Sequence, residues 1–250
     1  KTLREGLAGT GVNRVYGILN GTCNYILTRM EQEGLSFAEC LKDAQRLGYA
    51  EANPSFDVDG HDTAQKLAIL ASLAFGTKVA QSAVYVEGIS SIAPEDLRAA
   101  EELGYRVKLL GVAVRTAKGI EQRVHPTMVP KSSSIAQVMG VTNAVAIDGE
   151  GIPPITLVGP GAGGAATASA VVADIADVAR GIRAKPFGRP VERLQSTTKA
   201  PMERHEGGYY IRLMARDLAG TAATIATRLA EQKISLESIV QRHPDGVDAN

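Results

Sequence analysis

The sequence predicts an α/β (α+β) protein in which a mixed sheet carries helices on one face and is followed by a partial βαβ unit. Two observations indicate this class. Apolar residues recur with a helical period early in the chain and after residue 163. In the middle of the chain, apolar and polar residues alternate in short segments that turn residues bound. At 250 residues the chain is long enough for one large domain and a smaller one.

The first elements are a strand at Val15–Leu19 and a helix at Gly21–Met30, whose amino end would present free N–H groups beyond the strand. A second helix begins with a capping box at Ser36–Glu39 and ends near Gly48, a residue suited to a left-handed cap. We therefore expect Tyr49–Asp59 to be a loop.

A third helix is predicted at Gly60–Phe75, where small and aliphatic residues form one buried stripe. A fourth has Pro94 in its first turn and Gly104 beyond its end. The pattern then changes to two strands, Tyr105–Arg115 and Ile120–His125, which a tight turn connects.

Two shorter strands are expected at Ala144–Ile147 and Ile155–Val158. The glycine-rich turn Gly159–Gly164 leads into a long Ala/Val/Ile helix that ends near Arg180. Several prolines interrupt the polar stretch that follows, so we interpret residues 182–206 as a linker.

The last part of the chain, residues 207–250, has the pattern of one βαβ unit. Strands are predicted at Tyr209–Met214 and Ile234–Val240, a turn at Asp217–Gly220 and a helix at Thr221–Glu231. A single βαβ unit cannot bury both faces of its sheet, so this part looks incomplete.

Composition excludes several classes of partner. Lys and Arg number 27 and Asp and Glu number 27, so no net charge favours nucleic acid or an anionic membrane as a partner. No apolar run is long enough to span a bilayer. Cys23 and Cys40 lack the spacing of a zinc site or a disulfide scaffold, which favours a cytoplasmic protein; we predict no metal site and assign neither cysteine a role.

Charged residues concentrate between Gly48 and Lys66. The segment contains Glu51, Asp57, Asp59, Asp62 and Lys66. Asp62 and Lys66 lie four apart on a predicted helix and share a face, and Asp57 and Asp59 would share a side of an extended approach. Acidic groups can hold a substrate ammonium while a lysine delivers a proton to a carbonyl oxygen. The same pair taken alone is also an ordinary solvated ion pair of about 0.3–0.5 kcal/mol.

The segment resembles the signature of the homoserine dehydrogenases. The positions that match are Ala44, Gly48-Tyr49-Ala50, Asn53-Pro54, Asp57-Val58, Gly60, Asp62 and Lys66. The resemblance extends upstream through Gly17–Thr22 and downstream through Gly161–Gly163 and Thr167–Asp174, and it covers nearly all of residues 1–181. Asn53 and Phe56 depart from members that carry Asp at these positions, which reduces the negative charge.

This resemblance implies an NAD(P)-dependent oxidoreductase that interconverts L-aspartate 4-semialdehyde and L-homoserine in threonine, methionine and isoleucine biosynthesis. It implies that Lys66 is the proton donor. The implied substrate-binding residues are Glu51, Asp57, Asp62, Gly21 and Thr22, and the implied cofactor-binding residues are Gly161, Ala162, Gly163 and Thr167. Residues 1–181 would then be the catalytic and dimerisation domain.

The resemblance also implies features beyond this site. Such enzymes begin with a dinucleotide-binding domain, which would precede Lys1 and would hold the residues that choose between NADP and NAD, and a monovalent cation site would lie mostly outside this chain. Residues 207–250 resemble the opening of an ACT regulatory domain, with threonine as a candidate effector. We expect a homodimer or homotetramer. Two alternatives remain open, namely a non-catalytic amino-acid-binding regulatory module and another semialdehyde reductase.

Overall fold

The computed structural model describes residues 1–196, 200, 207–216 and 218–241. The chain divides into two compact units, Lys1–Gly207 and Gly208–Asn250. The helices of the first unit are α1 (Gly21–Glu33), α2 (Phe37–Arg46), α3 (Ser55–Val58), α4 (His61–Phe75), α5 (Pro94–Glu102) and α6 (Gly164–Ala179). Its strands are β1 (Val12–Ile18), β2 (Tyr85–Val86), β3 (Tyr105–Thr116), β4 (Gly119–Pro130), β5 (Thr142–Gly149) and β6 (Ile155–Pro160).

The six strands form one mixed sheet in the order β2-β4-β3-β1-β5-β6. All neighbouring pairs are antiparallel except β2 and β4, which are parallel. β1 lies in the middle of the sheet, between β3 and β5, so its carboxyl end reaches the centre of one sheet edge. This confirms the mixed sheet that the sequence predicts.

The main core lies between the sheet and the helices on one of its faces. Ile26 of α1 and Leu67 of α4 are fully buried there, together with Val15 of β1 and Ala113 of β3. A smaller apolar cluster covers the opposite face, where a short 3-10 segment, Ser134–Gln137, packs against the strands. Burial of one fully apolar helix side chain such as Leu67 stabilises the fold by roughly 2 kcal/mol.

Local sequence signals account for the helix ends. Ser36 and Glu39 form the predicted capping box of α2, with Glu39 accepting from the backbone N–H of Ser36 at 2.9 Å. α5 begins at Pro94 as expected, and α4 ends at Gly76 in the left-handed conformation. These ends form as predicted because each depends on residues that are close in the sequence.

Three segments differ from the prediction. The expected loop Tyr49–Asp59 contains the one-turn helix α3, so Asp57 and Asp59 are not on an extended strand. β4 continues past His125 to Pro130 because it pairs with β3 along its whole length. β2 pairs with β4 only at Arg123 and Val124, so β4 is an edge strand beyond that point, where proline costs no hydrogen bond. β2 itself is a two-residue strand that carries no periodic pattern.

In the second unit the helix α7 (Thr221–Glu231) forms as predicted. The structure corrects the two flanking strands: residues 209–214 and 234–240 are irregular in the described part of the unit. A strand exists only when a neighbouring strand satisfies its amide groups, and these two segments do not pair with each other. Asp217, at the start of the predicted turn, lies outside the described residues.

The predicted linker, residues 182–206, is described at 182–196 and at 200. Gln195 in this stretch accepts from the backbone N–H of Lys78 at 2.9 Å and donates to the carbonyl oxygen of Gly76 at 3.1 Å. Leu194 beside it is buried. This part of the stretch therefore packs on the first unit, and the proposed domain boundary at residue 207 stays a prediction.

α6 differs from the other helices of the first unit in its exposure. None of its residues is buried, and its apolar side chains face solvent. The most exposed are Val171, Val172, Ile175 and Val178. Within the described residues, no helix combines the length and hydropathy that a membrane span requires.

Lys108 on β3 is the largest fully buried side chain among the residues that the structure describes. Its ammonium group donates to Oδ1 of Asn24 at 2.9 Å and to the carbonyl oxygen of Val138 at 2.7 Å. The Asn24 amide in turn donates to the carbonyl oxygens of Val138 and Thr142. One buried cation thus ties β3 and α1 to the segment that enters β5. Burial lowers the pKa of Lys108 from 10.5 to about 8.

This pKa makes a prediction about stability. Between pH 8 and pH 10.5 the unfolded chain binds a proton at Lys108 that the folded chain does not, so raising the pH through this window favours the folded state. Lys108→Met keeps the apolar stem and removes the titration. As the pH rises through this window, we expect the free energy of unfolding of the wild type to increase relative to that of the variant by on the order of 2 kcal/mol.

Urea denaturation of both proteins at several alkaline pH values measures this difference. Other titrating groups are common to both proteins and cancel. A difference in stability that does not change with pH would contradict the burial of a proton-losing lysine.

Candidate active site at the amino end of the first helix

Asn20 joins the elements of the candidate site. It is 6% exposed and follows β1, and its Oδ1 caps α1 by accepting from the backbone N–H of Cys23 at 2.9 Å. Its Nδ2 donates to Oδ1 of Asp57 at 2.8 Å and to Oδ2 of Asp62 at 3.0 Å. One amide therefore caps a helix and holds two carboxylates that lie about forty positions further along the chain.

A sharp turn between two helices places these carboxylates. Asp57 lies on α3 and Asp62 in the first turn of α4, and Gly60 between them has a φ of 87°. Glycine adopts this left-handed conformation without strain. The chain reverses direction there, and as a result both carboxylates reach the side chain of Asn20.

Lys66 lies one turn after Asp62 on α4. Its ammonium group donates to Oδ2 of Asp62 at 2.7 Å and to the carbonyl oxygen of Leu19 at 3.1 Å. An ammonium group has three N–H donors, and these two bonds use two of them. The side chain is 49% exposed, so the third donor of Lys66 is available to a small molecule at the surface.

The carboxylates form one electrostatic cluster around Asp57. Burial raises the pKa of Asp57 above its ordinary value; the hydrogen bond from Asn20 and the charge of Lys66 lower it, and the carboxylates of Asp62 and Glu51 raise it. Carboxylates close enough to affect one another's protonation favour a bound cation, because the cation relieves their mutual repulsion. The cluster suits an organic ammonium group.

Thr22 and Gln45 hold the loop that carries Glu51. Oγ1 of Thr22 donates to the carbonyl oxygen of Tyr49 at 2.6 Å, and Nε2 of Gln45 donates to the backbone carbonyl oxygen of Glu51 at 3.0 Å. The Glu51 side chain is exposed. Its backbone is fixed while its carboxylate stays free to approach a ligand.

The glycine turns predicted to bind substrate and cofactor lie on either side of Asn143, the second residue of β5. A Cβ at Gly21 would lie 2.7 Å from the carbonyl oxygen of Val141 and 3.4 Å from Oδ1 of Asn143. A Cβ at Gly161 would collide with the Asn143 amide. The structure thus brings Gly161 next to the amino end of α1.

The other residues predicted to bind cofactor, Ala162, Gly163 and Thr167, are exposed at the start of α6. Thr167 donates its backbone N–H to the carbonyl oxygen of Gly163 at 3.0 Å, which is the first turn of that helix. Among the hydrogen bonds of residues 1–196, none joins these three residues to the carboxylate cluster. Their role stays a prediction.

Cys23 lies directly below the cluster but is not a nucleophile in this structure. It is fully buried, its Sγ donates to the carbonyl oxygen of Asp57 at 3.2 Å, and burial raises its thiol pKa far above the ordinary value. A thiol that keeps its proton is unreactive. In the described part of the chain, no group of three His, Cys, Asp or Glu side chains could hold a metal ion.

Sequence reasoning did not identify Asn20 or Asn143 as site residues. For Asn20 a signal was present, because asparagine before a helix is a preferred cap whose amide can also donate. For Asn143 no local signal exists, since only the pairing of β5 with β1 and β6 brings it to the two glycine turns.

Comparison with known proteins gives one family. The family model described as homoserine dehydrogenase matches residues 1–176. A homoserine dehydrogenase of Neisseria gonorrhoeae is 47% identical over 97% of this chain and 57% of its own length. The crystal structure of a homoserine dehydrogenase from Thiobacillus denitrificans is 47% identical, with a TM-score of 0.91 over 97% of this chain and 57% of that one.

A third relative is a hyperthermophilic archaeal homoserine dehydrogenase solved in complex with NADPH. It is 28% identical, with a TM-score of 0.62 over 73% of this chain and 52% of that one. The chain thus spans somewhat more than half the length of the relatives it matches. The family model covers most of the first unit and the identities extend over nearly the whole chain, so this chain belongs to the homoserine dehydrogenase family.

Proposed function

We propose that the full-length protein interconverts L-aspartate 4-semialdehyde and L-homoserine with NADP or NAD. The observation that carries the proposal is the placement of Lys66, whose ammonium group is oriented by Asp62 and by the carbonyl oxygen of Leu19 and retains one donor beside an acidic cluster. Both compounds are amino acids with a small oxygen-bearing side chain. The cluster and the lysine match the ammonium group and that oxygen.

The chain's own residues have two tasks in this reaction. Asp57, Asp62 and Glu51 hold the substrate ammonium group, which orients the side-chain carbon. Lys66 donates a proton to the carbonyl oxygen during reduction and accepts it back during oxidation. Asp62 fixes the direction of the N–H groups of Lys66, because the two side chains are hydrogen-bonded at 2.7 Å.

The residues present fit a nicotinamide cofactor. The turns at Gly21 and Gly161 both pack closely around Asn143, whose Oδ1 is buried without a hydrogen-bond partner. The exposed turn Gly161–Gly163 precedes the 16-residue helix α6, whose free N–H groups suit an anion. A bound nicotinamide would supply the hydride or accept it. The relative solved with NADPH supports this class of cofactor.

We further propose that the protein acts in threonine, methionine and isoleucine biosynthesis in the cytoplasm, where free, buried cysteines such as Cys23 and Cys40 stay reduced. The family resemblance also implies a monovalent cation, to which we assign no residue of this chain.

Regulation and assembly are part of the same proposal. Residues 207–250 are proposed as part of an ACT domain that binds threonine, and the protein as a homodimer or homotetramer. The exposed apolar residues of the edge strand β6, Leu157 and Val158, support association. Sedimentation of the full-length protein tests the assembly. Titration with L-threonine, with D-threonine as the control, tests the effector, and unchanged activity would exclude it.

Replacing Lys66 should remove the proton transfer. We expect Lys66→Ala to lower kcat for homoserine oxidation by about two to four powers of ten, the usual contribution of a general acid or base, with a smaller change in KM. The matched control is Lys118→Ala, because Lys118 is exposed in the turn between β3 and β4. Steady-state kinetics checks this, and a variant with near-normal kcat would refute the role of Lys66.

Acidification should weaken substrate binding through Asp57. The pKa of Asp57 is raised, so as the pH falls Asp57 takes up a proton at a higher pH than an ordinary aspartate does. We expect KM for homoserine to rise as the pH falls toward the raised pKa. In Asp57→Asn this rise should be absent and KM should be about tenfold higher at neutral pH, the cost of one lost charged contact.

The control is Asp59→Asn, which removes an exposed carboxylate two positions away. The measurement is KM for homoserine as a function of pH in the wild type, Asp57→Asn and Asp59→Asn. If Asp57→Asn retains the wild-type profile, Asp57 does not bind the ammonium group.

A further inference from the structure

Both hydrogen-bond acceptors of Lys66 depend on the two residues that follow β1. The ammonium group of Lys66 donates to the carbonyl oxygen of Leu19 at 3.1 Å and to Oδ2 of Asp62 at 2.7 Å. Leu19 precedes Asn20 in the chain, and Nδ2 of Asn20 donates to the same Oδ2 of Asp62 at 3.0 Å. The turn at the end of a central strand therefore controls the direction in which the lysine points.

The partners of the Asn20 amide leave it one orientation. A backbone N–H only donates and an ionised carboxylate only accepts, so Oδ1 must face the N–H of Cys23 and Nδ2 must face the carboxylates. Both N–H groups of Nδ2 are used, one for Asp57 and one for Asp62. The residue is buried, so no other orientation would satisfy its polar atoms.

The same bonds decide which carboxylate oxygens can meet a substrate. Asn20 occupies Oδ1 of Asp57. Oδ2 of Asp62 accepts from both Asn20 and Lys66. In the described part of the chain the other oxygen of each carboxylate accepts no hydrogen bond from a protein group, and neither of these two oxygens is buried. One open oxygen on each aspartate suits an ammonium group, which has several N–H donors.

Capping of α1 does not by itself require an amide at this position. Serine and aspartate cap a helix about as well as asparagine does. The two N–H groups are what asparagine adds, and both of them go to the carboxylates of the site. The hydrogen bond from Asn20 also lowers the pKa of Asp57, against the effect of burial, which favours the ionised form that an ammonium group needs.

We propose that Asn20 is a positioning residue of the reaction. It holds Asp62 so that the remaining N–H of Lys66 points to the substrate oxygen, and it leaves one open oxygen on Asp57 and one on Asp62 for the substrate ammonium group. This inference rests on the proposed function and deepens it by a residue outside the predicted substrate and cofactor sets. Asn20 acts through these neighbours, without contact to the reacting atoms.

Two substitutions separate helix capping from positioning. Asn20→Asp keeps the size of the side chain and the acceptor that caps α1 but removes both N–H donors. Asn20→Ser also keeps a capping acceptor, adds no charge and has one donor for two carboxylates. The matched control is Asn13→Asp, the same chemical change at an exposed position of β1. Circular dichroism and thermal unfolding of the full-length variants report whether each one folds.

Kinetics in two backgrounds tests whether Asn20 acts through Lys66. We expect Asn20→Asp to lower kcat for homoserine oxidation by about ten- to hundredfold, because a displacement of about 1 Å in a reacting group costs this much. Asn20→Ser should lose at least about fivefold, the value of one hydrogen bond, and Asn13→Asp less than about twofold. When Lys66 is already replaced by alanine, Asn20→Asp and Asn20→Ser should each lower kcat by no more than about twofold further.

Two results would overturn the proposal. One is an equal loss of kcat in both backgrounds, which is what a purely structural role predicts. The other is a near-normal kcat in a folded Asn20→Asp. If Asn20→Asp does not fold, Asn20→Ser is judged by the same two criteria, since it adds no charge to the cluster.

A titration of the Asp57 carboxyl carbon by NMR needs no activity. In Asn20→Ser the pKa of Asp57 should rise further above its ordinary value, because the hydrogen bond that lowers it in the wild type is lost or weakened. An unchanged pKa would contradict the role of Asn20. If the wild type does not reduce NADP⁺ or NAD⁺ with homoserine, the proposed function fails instead, and the titration still reports on Asn20.

Discussion

The three hydrogen bonds of the Asn20 side chain connect the end of a central strand, the start of a helix and two carboxylates from a later hairpin of helices. Without these hydrogen bonds, the carboxylates and the start of α1 would be less stable in their positions. The carboxylates repel one another, and the first N–H groups of α1 have no partners within the helix. A primary amide is the side chain that can accept from the helix and donate to both carboxylates. The position of Lys66 depends on the same arrangement, because Asp62 orients its ammonium group.

A second constraint acts from the opposite side of α1. Lys108 and Asn24 hold the backbone at Val138 and Thr142, and between these two residues lies Val141, which contacts the Gly21 turn. A buried ammonium group is an expensive way to anchor a loop. Its effect is that the start of β5, which carries Asn143, is held next to α1.

The sequence was a good guide where structure depends on neighbours along the chain. The capping box at Ser36, the left-handed end of α4 and the common face of Asp62 and Lys66 all formed as expected, since each is set within four or five residues. A local signal was also present for α3, where Asn53 accepts from the backbone N–H of Ser55 and starts the turn.

Long-range pairing decided the rest. The extension of β4 to Pro130 depends on its pairing with β3, and the approach of Asn143 to Gly21 and Gly161 depends on the register of three strands. The segments beside α7 have strand-like composition but lack a partner to pair with in the described unit. Such features are properties of the assembled sheet and leave no periodic trace in the sequence.

The buried thiol of Cys23 has a practical consequence. It is enclosed between α1 and the backbone of Asp57, below the carboxylates, and it has no exposed surface. A thiol reagent can reach it only when α1 and α3 separate, so the rate of modification at Cys23 measures how often this region opens. Mass spectrometry of the Cys23 adduct therefore measures local opening of the site without a mutation or an attached fluorophore.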